Sequence, residues 1–562
     1  MAADHLTESG PPIDRSHLLL RGRGCYVRGE WNDAFEALKA ADEQGGLESE
    51  DLQRLAWSAG LTARNEEMIS TQERVYHSWL QVAEQLKAAR AAFWLGFRLQ
   101  VLGESGRANG WLSRSQRLVE LHKRDCVEQG YLMLPAAQQL LSSGELIKAH
   151  DCAALATQIG EHFLEPDLIA FARNIQGRAL LADGHVERGL ALMDEVMVAA
   201  TAGELSPVVT GIVYCSAIAS CQRVFALSRA REWTAALATW CDAHPQLGMF
   251  TGHCLVHRAE VLQLNGLWGE AAAEARRAVD RCVRSIERDA AGSAHYQQAE
   301  IHRLRGEFTL ARAAYHEASR AGFEPLPGLA LLQLVEGDRD AAAGASRRAL
   351  AAAVGQLART RYLPAHVEIM LAVGDLEEAR ASSRELEETS VSFGSEVLEA
   401  IAAHACGSVY FAAGDSLASL ESSRRAFSIW QRLGAPYLAA RLRVLVARAC
   451  IALGDSAGAR LELQCASEVF ERLGATPDMA LVKDLTDSLT AGIGQSSTAH
   501  GLTGRELQVL RLIATGRTNK AIGRELSLSE KTIDRHVSNI FAKLKVFSRS
   551  AATAFAYENR LT

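Results

Sequence analysis

A short phrase recurs through most of this chain and restricts its fold more than any other feature. A Gly is followed, in most copies, by an acid, and a small residue stands four or five positions after the Gly. The phrase occurs at Gly29-Glu30 with Ala34, Gly103-Glu104 with Ala108 and Gly144-Glu145 with Ala149. Variants stand at Gly184-His185 with Gly189, Gly266-Leu267 with Ala271 and Gly306-Glu307 with Ala311. Gly337-Asp338, Gly374-Asp375, Gly414-Asp415 and Gly454-Asp455 complete the series. Most neighbouring copies lie about 40 residues apart, a period that signals a helical array. Degenerate copies near Asn65-Glu66 and Ser228-Arg229 fill two doubled steps.

The phrase has a simple physical content. Gly ends one helix in a left-handed cap. The acid starts the next, where its charge meets unpaired backbone N–H groups. The small residue lets the two helices approach closely. An apolar helix precedes each Gly, as at residues 296–304 and 438–453, and a second follows, as at 311–320 and 417–433. Neither helix can bury its face alone, so neighbouring pairs must stack. The expectation is an α-solenoid, quasi-one-dimensional and superhelical.

Composition agrees with this. At 562 residues the chain exceeds one ordinary core, and a hydrophobic content of 48% excludes general disorder. With 6% aromatics, 11 Pro and abundant Ala and Leu, it reads as mostly helical. The 11 Cys are scattered with no C-x-x-C pair, which suits small buried residues of a reducing compartment. The N-terminal stretch carries acids and prolines and lacks the apolar segment of a signal peptide. The most apolar local run, residues 91–97, meets Arg98 at once and is too short for a membrane span.

Residues 501–562 differ in kind. Thr503 and Glu506 have the spacing of a capping box, and Leu507, Leu510 and Ile513 follow on one helical face. Gly516 ends that helix, and Thr518 or Asn519 starts a second, with Ile522 and Leu526 inward. Ser529 caps a third helix that runs through Ile533, Val537, Ile540 and Leu544, and a fourth begins near Arg549. Two helices joined by a short turn, the second longer and polar on its outer face, follow the helix-turn-helix plan. The segment holds 11 Lys and Arg against 5 Asp and Glu, a balance of +6, while the rest of the chain carries −13. A basic module on an acidic chain suits phosphate binding.

The segment also resembles the LuxR-type DNA-binding domain. The likeness rests on Leu502-Thr503, Arg505-Glu506, Gly516, Thr518-Asn519-Lys520, Ile522, Leu526, Ser529-Glu530, Thr532-Ile533, His536-Val537, Ile540, Lys543-Leu544, Val546 and Arg549. The resemblance implies that Asp534, Arg535 and Ser538 read bases in the major groove. Lys531 lies on the same outward face. Phosphate contacts are expected from Thr518, Asn519, Lys520, Lys531, Thr532, Lys543 and Arg549. An Arg can fork onto guanine, worth about 1–3 kcal/mol of discrimination. Asp534 departs from the Lys common in the family. It can accept from cytosine N4, or pair with Arg535 and orient it. Glu506 is read as a cap, and His536 as packed between helices two and three. Family members bind paired half-sites as dimers, which points to Ala552, Ala556 and Tyr557 on the last helix.

The long repeat region resembles the tetratricopeptide-like, MalT-like helical part of large LuxR-type regulators. The likeness is carried by residues 207–215, 230–234, 257–260 and 296–307. No phosphate-binding G-x-x-x-x-G-K-[ST] is present, nor H-E-x-x-H, G-x-S-x-G or an EF-hand loop. His253-Cys254 and His404 with Cys406 lack a second pair at metal-ligand spacing. Asp338 and Asp340 read as helix-start acids. Trp94, Trp111, Trp233, Trp240 and Trp268 read as core, with a ligand groove as the sharper alternative. Arg231-Glu232-Trp233 and Tyr296-Gln297-Gln298 are polar-rimmed candidates for such a groove.

These readings give an all-α chain in four parts. Residues 1–20 form a disordered N-terminus, 21–489 a tetratricopeptide-like solenoid, 490–500 a flexible linker and 501–562 a four-helix LuxR-type helix-turn-helix domain. The expected function is a cytoplasmic, nucleoid-associated bacterial transcription regulator, an activator and not an enzyme. Double-stranded DNA and RNA polymerase are its expected partners, with a small-molecule or protein effector on the solenoid and a homodimer on DNA. No cofactor, metal or membrane is expected. The alternative is a protein-interaction scaffold whose tail docks partners.

Overall fold

The computed structural model describes residues 14–249, 251–285, 288–495, 501–526 and 528–561. Thirty α-helices and no strand occur among them. Clustering of contacts divides the chain into two compact units, one ending at Ala405 and one starting at Cys406.

Every Gly of the repeated phrase has positive φ, from +76° at Gly29 to +93° at Gly337, so each helix ends in the left-handed turn that the sequence calls for. At the degenerate copies the same conformation falls on non-Gly residues, Ala63 at φ 62° and Phe225 at φ 59°. The turn geometry is therefore kept where its preferred residue is lost. The small residues Ala34, Ala108, Ala149, Ala271 and Ala311 are fully buried at helix crossings.

The acids after Gly are of two kinds. Asp338, Asp375, Asp415 and Asp455 each accept from the backbone N–H three residues on, at 3.2, 3.1, 3.0 and 2.9 Å. Glu30, Glu104, Glu145 and Glu307 stand at the same position without a side-chain cap bond. The extra methylene carries the carboxylate past the helix end. Glu104 pairs with Arg107 at 2.6 Å and Glu145 with Lys148, so these acids hold cations instead of capping N–H groups.

In the first unit the repeats begin with the helices Arg15–Val27 and Trp31–Gly45, followed by Ser49–Leu61 and Asn65–Gln81. The first of these lies partly within the stretch read as a disordered N-terminus, while residues 1–13 are outside the described residues. A continuous core includes Trp94, Tyr131, Phe171, Val209 and Tyr214, on helices of successive repeats. One feature departs from a quasi-one-dimensional array. The segment after the helix Leu227–Ala243 returns to the first hairpins. Gln246 Nε2 donates to Asp33 Oδ2 at 2.6 Å, and its Oε1 accepts from Asn32 N at 2.8 Å. Gly248 N and Met249 N both donate to Leu61 O, at 2.7 and 3.1 Å. The His244 ring stacks on Trp31, with centroids 5.1 Å apart. A Cβ on Gly248 would lie 2.8 Å from the Thr62 carbonyl carbon, so only Gly permits this approach.

The second unit contains the hairpins Ser416–Arg432 with Pro436–Ala452 and Ser456–Leu473 with Thr476–Gln495, then four tail helices. The helix Thr476–Gln495 runs into the stretch read as linker, because that stretch lacks Pro and its Ala and Ile tolerate helix. Residues 496–500 of that reading lie outside the described residues.

Candidate nucleic-acid interface

The first tail helix, Gly504–Ala514, starts in a reciprocal cap. Thr503 Oγ1 accepts from Glu506 N at 3.2 Å, and Glu506 Oε2 accepts from Thr503 N at 2.8 Å. Lys543, on the third tail helix Glu530–Leu544, donates Nζ–H to the same Oε2 at 2.6 Å. Glu506 is only 3% exposed. Burial pushes its pKa up, but the bonds from Lys543 and Thr503 outweigh burial and hold the carboxyl below its ordinary range. Glu506 is thus both cap and anchor for the third helix.

The second tail helix, Asn519–Glu525, is capped by Thr518, whose hydroxyl accepts from Ala521 N at 3.2 Å. The third is capped by Ser529, which accepts from Thr532 N at 3.1 Å. Between them Leu528 N donates to Gly523 O at 2.8 Å. A Cβ on Gly523 would sit 2.7 Å from Leu528 O, so the turn closes this tightly only over Gly. Gly523 has a single signal in the amino-acid order, a lone Gly inside a helical pattern. Ile522, Ile533, Ile540 and Leu544 pack with Val509, Leu510 and Ile513 into one core.

That core turns Lys531, Asp534, Arg535 and Ser538 outward, and all four are exposed, as are Thr518 and Lys520. Asn519 and Thr532 are half-buried. Asn519 Nδ2 donates to Asp534 Oδ1 at 2.6 Å, so the partner of this acid is Asn519 and not Arg535. Arg549 donates to Asn519 Oδ1 at 2.7 Å and also to Arg517 O. A polar chain from Arg549 through Asn519 to Asp534 therefore fixes the start of the second helix against the third and fourth. Ser538 Oγ donates to Asp534 O at 2.9 Å, and the Thr532 and Ser529 hydroxyls lie 2.7 Å apart.

Four of the residues named from the sequence also have partners or packing within the tail. Lys543 and Arg549, expected on phosphates, are engaged inside the tail, with Glu506 and with Asn519 and Arg517. Ala552 and Ala556, expected at a dimer contact, are fully buried in the tail's own core, because the helix Arg549–Glu558 turns its small face inward. Of that trio Tyr557 alone is on the surface, 59% exposed, with its hydroxyl 3.5 Å from Ala514 O. His536 is half-buried, and burial lowers its pKa, in keeping with a packed side chain. Two further ties were not read from the sequence. Arg505 donates to Leu526 O at 2.8 Å, and Arg511 Nε to Leu561 O at 2.9 Å.

Elsewhere, Trp94, Trp233 and Trp268 are buried, and Trp111 and Trp240 half-buried. Arg231 donates to Asn265 at 2.6 Å and Gln297 to Gln263, so these polar-rimmed candidates bond neighbouring helices. Among the described residues, no three His, Cys, Asp or Glu side chains converge as a metal site. No helix among them is long and apolar enough to cross a membrane.

Comparison with known proteins places the tail. The family model described as bacterial regulatory proteins, luxR family, matches residues 500–556. The chain is similar to the transcriptional regulatory protein LiaR of Bacillus subtilis, 46% identical over 69 residues, which is 12% of this chain and 33% of that protein. It is similar to DegU of Brevibacillus brevis, 45% identical over 60 residues, 11% of this chain and 25% of DegU. With the nitrate/nitrite response regulator protein NarL of Escherichia coli K12 it shares 34% identity over 92 residues, 16% of this chain and 43% of NarL. The chain thus spans less than half the length of each of these curated relatives. Among solved structures it is similar to the APC/C hetero-tetramer Cut9–Hcn1, with TM-score 0.40 and 12% identity, covering 85% of this chain and 96% of that one. Residues 500–556 belong to a LuxR-type helix-turn-helix segment, and the described remainder of the chain is all-α, built of successive helical hairpins.

Proposed function

We propose that this chain is a bacterial transcription regulator in which the helical repeats receive a small-molecule or protein effector and control a DNA-binding tail. The observation that supports it best is the exposed face of the helix Glu530–Leu544, with Lys531, Asp534, Arg535 and Ser538 side by side on a capped, buried scaffold. A helix of this kind fits the major groove. Arg535 is the base-reading residue, while Asp534, held by Asn519, sets the edge of the reading face. Thr518, Lys520, Lys531 and Thr532 face phosphates, with helix N-termini behind Thr518 and Thr532. Lys543 and Arg549 position this surface from behind.

The part boundaries proposed for this design are 21–489 for the receiver and 501–562 for the reader. The protein acts in the cytoplasm at the nucleoid, pairs on DNA as a homodimer with Tyr557 near the contact, and activates through RNA polymerase. Gel-shift titration of the full chain against genomic duplexes tests the central claim. Binding that weakens steeply with salt is expected from counterion release. A chain that retains no duplex at low salt, or binds it without salt dependence, would favour the scaffold reading instead.

A further inference from the structure

The helices of the first repeats enclose a chamber inside the first unit. A narrow cavity of about 160 Å³ is walled by Trp57, Trp94 and Tyr131 and floored by Glu165 and Asp167. It adjoins a wider chamber of about 630 Å³, with Tyr26, Gln53, Trp57 and Arg90 lining both.

Charge inside it is unbalanced. Arg90 bonds Glu128 at 3.0 Å and Glu165 at 3.3 Å, and it also lies 5.0 Å over the Tyr131 ring. Tyr131 donates its hydroxyl to Glu165 at 2.8 Å. Asp167 Oδ1 accepts from Ser206 N at 2.8 Å. The narrow cavity is thus lined by two carboxylates, Glu165 and Asp167, and one guanidinium, which Glu128 also holds. Burial, with Glu165 beside it, pushes the Asp167 carboxyl above its ordinary range, and the bonds from Ser206 and the charge of Arg90 offset this only in part.

The walls select which cation. Trp57 and Trp94 meet edge to face at 5.5 Å, and aromatic faces attract a desolvated organic cation. The carboxylates do not converge as a metal site. In the wider chamber Trp79 is 6% exposed and its indole N–H has no partner, a donor available to the body of a ligand. We propose that the narrow cavity binds a primary ammonium group, seated between Trp57, Tyr131 and the Glu165–Asp167 pair, on a molecule whose remainder extends past Trp57 and Trp79 into the wider chamber, where Glu50, Arg54 and Lys87 also stand. The site deepens the receiver role given above and rests on it. A free small amine and a peptide N-terminus share this chemistry.

Calorimetric titration of the full chain with phenethylamine, phenylethanol, and Phe-Gly-Gly with a free or acetylated N-terminus tests it. The amine, the free peptide or both should bind, and each neutral counterpart should bind at least about tenfold more weakly. A preference between amine and peptide identifies the source. Asp167→Asn and Glu165→Gln should each weaken the bound cation about tenfold or more, with the thermal midpoint of at least one of them unchanged. Equal binding of the neutral probes, no binding by either cation, or full affinity in both variants overturns the proposal. Gel shifts on the same preparations separate the two readings. Intact DNA binding without ammonium binding removes the ligand site alone, and ammonium binding without DNA binding removes the regulator.

Discussion

Lys543 reaches back from the third tail helix to the buried carboxylate of Glu506, 2.6 Å away, at the cap of the first. One acid thereby closes a helix end and ties the third tail helix to the first. Glu506→Ala should destabilise the tail by about 1–3 kcal/mol, since it removes a cap and strands a cation. Glu506→Gln keeps the bond from Thr503 N and should cost less. Hydrogen exchange of the tail amides in the full chain would measure both, and equal losses would contradict the paired role.

Arg535 and Lys520 are both exposed but are given different work. Arg535→Ala should lose about 1–3 kcal/mol of preference between specific and scrambled duplexes. Lys520→Ala should weaken all duplexes alike and reduce the salt slope by about one. Gel shifts over a salt series distinguish the two, and identical profiles would undo the assignment.

Gly523 is the glycine with least room among residues 501–561. The Leu528 carbonyl that blocks a Cβ is backbone and cannot swing aside. Gly523→Ala should therefore open the turn between the second and third helices, at a cost of about 1–3 kcal/mol, and weaken DNA binding of every sequence. Full affinity in this variant would show that the turn has slack.

The two kinds of acid after the repeat glycines should differ in stability. Asp415→Ala removes a cap bond of 3.0 Å and should cost about 1 kcal/mol. Glu307→Ala removes no cap bond and should cost less than half of that. Chemical denaturation of the two variants gives the comparison.

Acid should destabilise the repeats before it protonates most carboxylates. His366 is 0% exposed, with Nδ1 2.8 Å from Ser346 Oγ. Glu378 lies 3.2 Å from Nε2 but outside hydrogen-bond geometry. Burial lowers the His366 pKa, and the attraction of Glu378 offsets it only in part. The unfolded chain, with histidine titrating near about 6.5, then binds more protons than the folded chain just below that pH. Stability should be full above that value and fall as pH drops through the window beneath it. Thermal midpoints across this range, compared with His366→Asn, would show a flatter dependence in the variant.

Much of the fold was legible because its signals are local. A left-handed turn, a capping side chain and a small residue at a crossing act over a few positions, so Gly337-Asp338 or Thr503 with Glu506 announces itself in the order of residues. The apolar period of Ile533, Val537 and Ile540 likewise settles which side of the helix faces water, and with it the exposure of Arg535. Glu104 and Asp415 look equivalent in that order, yet one methylene separates an acid that holds Arg107 from one that caps a helix.

Amino-acid order alone determined an all-helical repeat chain ending in a basic helix-turn-helix, since periodicity and capping depend on neighbours within a turn or two. Tertiary structure decided which polar groups meet: Gln246 with Asp33, Arg549 with Asn519, and Glu128 and Glu165 with Arg90. It also withdrew Ala552 and Ala556 from the surface. Such pairings join residues tens to hundreds of positions apart, and no spacing rule encodes them. They arise only when stacked helices bring distant side chains into one volume from which water is excluded.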